Sequence, residues 1–149
     1  MMLTYDFMIP SSTGLPSVTK YYIIECRLGV TVSPTGTDLS DSDAVLFRYA
    51  KEENGGKFRL RVCAGGAGNS VYVNDSAITP AVDTWYRVTL LMSSSRVWML
   101  VNDTVIGPAT TGIPTAGTMT VMCRMEKGIG TTAKLINLDY FQSARTALR

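Results

Sequence analysis

The chain has 149 residues, of which 46% are apolar and 17% charged, with a formal net charge of +2 and no histidine. A chain of this length buries roughly two-thirds of the surface it exposes when unfolded, so one domain spanning residues 1–149 is expected. So small a charge gives no field for steering towards nucleic acid or an anionic membrane, and the lack of histidine removes Ser-His-Asp and Cys-His nucleophiles and imidazole zinc sites.

The opening MMLTYDFMIP has neither the basic flank nor the apolar run of a secretory signal, and no stretch approaches the roughly 20 apolar residues that span a bilayer. A soluble chain without a signal peptide is expected. Cys26, Cys63 and Cys123 are far apart with no Cys-x-x-Cys spacing, and an odd number cannot all pair within one chain. Buried thiols are the simplest expectation.

In chain order, the first clear period-two run is YYIIECRL (21–28), with Tyr22, Ile24, Cys26 and Leu28 on one face. VLFRYAK (45–51) and KFRLRVC (57–63) follow, the second with Phe58, Leu60 and Val62 facing one way and Arg59, Arg61 and Cys63 the other. Asn54-Gly55-Gly56 between them predicts a hairpin, because Asn and Gly accept the positive φ of tight primed turns. SVYVNDSAITP (70–80) and RVWMLVNDTVIG (96–107) nearly repeat a phrase, and each Asn-Asp pair stands where a two-residue hairpin turn belongs. WYRVTLLM (85–92) aligns Tyr86, Val88, Leu90 and Met92, and RVWMLV (96–101) aligns Val97, Met99 and Val101. TMTVMCRM (118–125) aligns Met119, Val121, Cys123 and Met125, and KLINLDYF (134–141) aligns Ile136, Leu138 and Tyr140. Loops are predicted at 33–43, 63–70 and 107–118. No window of a dozen residues keeps apolar side chains at helical spacing.

Many short strands joined by Gly/Pro-rich turns predict an all-β fold, a two-sheet antiparallel β-sandwich or jelly roll. An immunoglobulin-type sandwich is disfavoured, since Trp98 lies close to a hairpin turn rather than mid-core between Cys63 and Cys123.

Within that frame, DTWYRVTLLMSSSRVWMLVNDTVIG resembles the central hairpin of concanavalin-A-like jelly rolls, including laminin-G-like modules. Trp85, Val88, Leu90, Met99, Val101 and Asn102 fall at matching places, with Asp103 in place of the usual Gly. ATTGIPTAGTMTVMCRMEKGIGTTAKLINLDYFQ is similar to the closing strands of jelly-roll modules in bacteriophage virion proteins, which end in an Ile-x-Ile-Asp-Tyr-Phe-like phrase, here residues 136–141. The resemblance covers about residues 83 to 142. It implies a structural or binding module of a virion, such as a capsid decoration protein or part of a tail fibre.

Candidate sites are few. Retaining glycosidases on this fold carry a Glu-x-Asp-x-x-Glu strand that sets two carboxylates roughly 5 Å apart, and that pattern is absent. Asp38, Asp41 and Asp43 crowd one loop and are the weak candidates for calcium, although their spacing matches no EF-hand and a solvated loop is the ordinary explanation of them. Gly128-Ile129-Gly130-Thr131-Thr132 lacks the Gly-Lys-Ser/Thr ending of a phosphate loop and reads as a hairpin. Asn74-Asp75-Ser76 and Asn102-Asp103-Thr104 satisfy the glycosylation rule incidentally. If Tyr86, Val88, Val97, Met99 and Val101 face inwards, then Trp85, Leu91, Trp98 and Leu100 lie on the opposite face, where so large an apolar group marks a protein contact, a surface covered by the chain itself, or a sugar-stacking platform.

The sequence therefore predicts a non-catalytic module without cofactor. Its expected partners are other virion proteins and further copies of itself through Trp85, Leu91, Trp98 and Leu100, with residues 142–149 as a docking tail and the virion as its location. The alternative is a lectin-like domain recognising host-surface glycans. Neither nucleic acid nor membrane is expected as a partner.

Overall fold

The computed structural model describes residues 1–15, 22–29, 43–50, 54–65, 71–73, 78–115, 120–127, 131 and 133–144. Among these residues there are ten strands: β1 (Met2–Met8), β2 (Tyr22–Gly29), β3 (Asp43–Ala50), β4 (Arg59–Ala64), β5 (Val71–Val73), β6 (Trp85–Met92), β7 (Val97–Val101), β8 (Thr104–Ala109), β9 (Thr120–Lys127) and β10 (Asn137–Ala144). They form two five-stranded sheets, β10-β1-β6-β7-β8 and β5-β4-β3-β2-β9. Every pairing is antiparallel. The fold is thus the two-sheet β-sandwich that the alternation predicts. The described residues hold no α-helix, and no helix among them is long and apolar enough to cross a membrane.

The two sheets meet through the inward set of each strand; the alternation of β6 and β7 carries over directly into burial, whereas in β4 the outward Arg61 and Cys63 are buried as well. Leu3, Tyr5 and Phe7 of β1 and Leu60 and Val62 of β4 are fully enclosed. Phe58, just before β4, sits at the centre of an aromatic cluster, with ring centroids 5.0 Å from Tyr86, 5.1 Å from Phe47, 5.6 Å from Tyr49 and 6.0 Å from Phe7. Each such side chain contributes roughly 1.5–3 kcal/mol by leaving water, plus tilted or edge-on ring contacts. Ile24 from β2 joins the same core, which fixes the inward parity of that strand.

The turns answer to their residues. Asn102 and Asp103, with φ of 46° and 67°, form the two-residue link between β7 and β8, both in the left-handed region that a primed turn requires. Asn102 also ties this hairpin to β6: its Oδ1 accepts from the Arg87 amide at 2.8 Å, and its own amide donates to the Arg87 carbonyl at 2.9 Å. Asn54, Gly55 and Gly56 link β3 and β4 through a short 3-10 turn, and Asn54 Nδ2 donates to the Phe58 carbonyl at 2.8 Å. The second Asn-Asp pair, Asn74-Asp75, lies outside the described residues, as do Met119, Gly128–Gly130 and Thr132.

Three expectations are corrected. Residues 107–109 belong to β8, not to a loop; Pro108 is tolerated because β8 is an edge strand, and the β7–β8 register shifts between Val97 and Met99. Gln142–Ala144 are the end of β10 and so strand rather than tail, and residues 145–149 lie outside the described set. Finally, Ile136, Leu138 and Tyr140 do not share a face. The β1–β10 register slips so that Leu138 opposes the inward Phe7 while Tyr140 opposes the outward Asp6, the mark of a bulge at Asp139.

Of the cysteines, Cys63 is buried and Cys123 half-buried, and neither is in a disulfide.

Candidate functional site

Each sheet turns one face away from the core, and the two outer faces differ in chemistry. On β6 and β7, Trp85, Leu91, Trp98 and Leu100 do point outwards, as the alternation requires, with Trp85 exposed and the other three half-buried. They are not one cluster. Leu91 opposes Trp98 and Met2, and Met2 opposes Ala144, so these four side chains form one row across four strands. With Met1, Met92 and Ser93 this row lines a shallow groove of about 360 Å³. Trp85 opposes Met8, six residues further along β6 and hence about 20 Å away.

Between these ends the outer face is polar. Arg87 donates from Nε and Nη2 to the two Asp6 carboxylate oxygens at 2.9 and 2.7 Å, and its guanidinium lies 5.7 Å from the Tyr140 ring centre. The bidentate bond to Asp6, then its charge, raise the Arg87 pKa. Leu100 opposes Thr89, whose hydroxyl is 3.0 Å from that of Thr4. An ion pair and a threonine pair therefore divide the apolar surface that the sequence predicted as continuous.

The outer face of the second sheet carries a group the sequence reading passed over. Because Leu60 and Val62 enter the core, Arg59 and Arg61 must leave it, and Tyr72 is the outward residue of the three-residue strand β5. Register places Arg61 opposite Tyr72 and Arg59 opposite Arg48. The Arg59 guanidinium lies 4.2 Å from the centre of the Tyr72 ring and that of Arg61 5.4 Å. These are cation–π distances. Tyr72 remains 43% exposed, whereas Arg61 is only 3% exposed. Further along the same face Ala44, Leu46 and Cys63 form a small second buried cluster, so among the described residues of this face Tyr72 is the exposed one. The signal available in the sequence was the Arg-x-Arg spacing on a strand whose other face is wholly apolar.

Two further carboxylates act as fasteners. Asp43 Oδ1 accepts from the Gly65 amide at 3.1 Å, and Asp83 Oδ1 accepts from the Ser11 amide at 2.8 Å. Asp38 and Asp41 lie outside the described residues, and among the described ones no three His, Cys, Asp or Glu side chains come together to hold a metal.

No protein-family model and no curated protein matches the sequence. Solved structures do resemble it in fold. A native glycosidic hydrolase aligns over 87% of this chain at 13% identity and TM-score 0.56, and this chain spans 52% of that protein's length. A tetrameric galectin from the ball sponge Cinachyrella aligns over 95% of this chain and 89% of its own at 12% identity and TM-score 0.55. Sheep galectin-11, in complex with glycerol, aligns over 92% of this chain and 87% of its own at 15% identity and TM-score 0.53. The chain has the two-sheet jelly-roll fold of these proteins, the fold class that the sequence predicted.

Proposed function

We propose that this protein is a carbohydrate-binding module whose ligand rests on the β5 end of the second sheet, at Tyr72 and Arg59. The observation that carries this reading is the Tyr72 ring, 43% exposed on its strand, with the Arg59 guanidinium 4.2 Å from its centre. A pyranose has an apolar C–H face that an aromatic ring accepts and an edge of hydroxyl oxygens that planar, multi-donor guanidiniums serve. Both are supplied by strands rather than by loops, so the donors are held in place before a ligand arrives. The likeness of fold to galectins supports the same reading. It needs no catalytic group and no metal ion.

The reading that the chain is a virion accessory protein is less well supported, since none of the similar structures named above is a virion protein. A glycan array followed by calorimetry tests the proposal. One class of sugar should be retained in the presence of a chelator, with affinity falling at least about tenfold in Tyr72→Ala and Arg59→Ala, the loss of roughly 1.4 kcal/mol. Trp98→Ala should bind as well as the parent chain. An empty array, or binding that survives Tyr72→Ala, would refute the site.

A further inference from the structure

The registers of the second sheet sort the three cysteines. β2 and β9 pair without a shift from Tyr22 opposite Lys127 to Gly29 opposite Thr120, and within that run Cys26 stands directly opposite Cys123. The matches two residues to either side are Ile24 with Met125 and Leu28 with Val121. Ile24 is fully buried, and Val121, Cys123 and Met125 pack against the same core, so the Cys26/Cys123 position belongs to the inner face of the sheet. Cys63 belongs elsewhere: it opposes Ala44 and sits with Ala44 and Leu46 in the buried cluster on the outer face.

Directly opposed residues of an antiparallel pair hold their Cα atoms about 4.5 or 5.5 Å apart, according to their place in the hydrogen-bond ladder. Both separations fall within the roughly 4.4–6.8 Å that a disulfide spans, and opposed Cβ atoms leave the sheet on the same side. A reagent can also reach the position. β9 is the last strand of its sheet and Cys123 is half-buried, whereas Cys63 is 0% exposed.

We propose that Cys26 and Cys123 are a redox-responsive pair that closes into a cross-strand disulfide, with a small-molecule disulfide such as oxidised glutathione as the oxidant. The Cys123 thiolate attacks one sulfur of that disulfide and expels one glutathione thiolate; the Cys26 thiolate then attacks the Cys123 sulfur of the mixed disulfide and expels the second. Two electrons pass to the oxidant, and the two thiol protons leave with the two reduced glutathione molecules formed. The new bond closes a loop of about 100 residues that contains β3 to β8, and it ties the edge strand β9 to its neighbour. Oxidation thus staples the sandwich, and reduction releases it. The pair is independent of the sugar site, which lies on the outer face at the opposite end of the same sheet.

Incubation of the full chain with oxidised glutathione, followed by alkylation and mass spectrometry under denaturing conditions, tests this. The expected product is lighter than the reduced chain by two hydrogens and leaves Cys63 alone to alkylate. Trypsin should release residues 21–27 joined to residues 97–124. The melting temperature of the oxidised chain should exceed that of the reduced chain by at least about 5 °C, as a loop of this length requires. Cys26→Ser should stop at the mixed disulfide on Cys123, heavier by one glutathione, and lose the gain in melting temperature. Should that variant fail to fold, the peptide map and melting curves of the parent chain decide alone. A chain that keeps all three thiols open to alkylation, a bridge that includes Cys63, or a Cys26–Cys123 bridge that leaves the melting temperature unchanged would each overturn the proposal.

Discussion

Asn102 is the position at which one side chain tests the logic of the turns. Its φ of 46° is tolerated by Asn and costs an alanine about 1 kcal/mol, and its Oδ1 holds the Arg87 amide at 2.8 Å, a bond whose loss costs about another 1 kcal/mol. Asn102→Ala loses both and should destabilise the protein by about 2 kcal/mol. Asn102→Gly keeps the backbone freedom, loses only the bond, and should cost about 1 kcal/mol. At about 2–4 °C per kcal/mol for a chain of this size, the melting temperature should fall by about 4–8 °C and about 2–4 °C respectively. Asp103→Gly should move it upwards, because Asp103 holds a φ of 67° and Asn-Gly is the preferred pair for this turn. Urea unfolding with a constant m-value measures all three. If glycine at 102 proves as costly as alanine, or glycine at 103 destabilises, the assignment of this pair to turn geometry fails.

Two further perturbations probe the core and its polar rim. The Thr4 and Thr89 hydroxyls, 3.0 Å apart, should show coupling in a double-mutant cycle: either single change to Val should cost about 1–2 kcal/mol by stranding its partner and the double change close to nothing, whereas additive costs would show that the pair does not interact. Burial, and then the neighbouring Tyr86, push the Tyr49 pKa up from 10.0 to about 12. The neutral phenol is therefore favoured in the folded state, so its contribution to stability is complete below pH 10.0 and is lost as pH rises towards about 12. The urea midpoint should drop across that window, and Tyr49→Phe should lessen the drop; an identical drop in both proteins would contradict the assignment.

Phe58, Leu60 and Val62 were legible because a half-buried strand shows its two faces as period two, and the inward parity of β6 and β7 came the same way. Asn102-Asp103 was legible because few residue pairs accept positive φ twice. What escaped were features set by neighbours in space. Arg61 and Cys63 alternate like solvent-facing residues yet are buried, since what lies over a sheet is not written in the strand beneath it. Trp85 and Trp98 share a face, but whether two residues on adjacent strands touch depends on register, which here separates them by most of β6. The bulge at Asp139 inserts one residue into the count, and from there on parity read along the chain names the wrong face. Tyr72 was missed because a strand of three residues is too short to show a period.

The placement of β1 has a consequence for synthesis on the ribosome. This strand sits between β6 and β10, with Met8 opposite Trp85 and Met2 opposite Ala144. Its apolar stripe of Leu3, Tyr5 and Phe7 is therefore made long before either neighbour exists. At roughly 5–20 residues per second it waits about 4–16 s for β6. Contacts so distant in sequence place the chain among slow folders, in the millisecond-to-second range even once complete. β1 is thus a segment that gains from a chaperone's shelter until its partners are made.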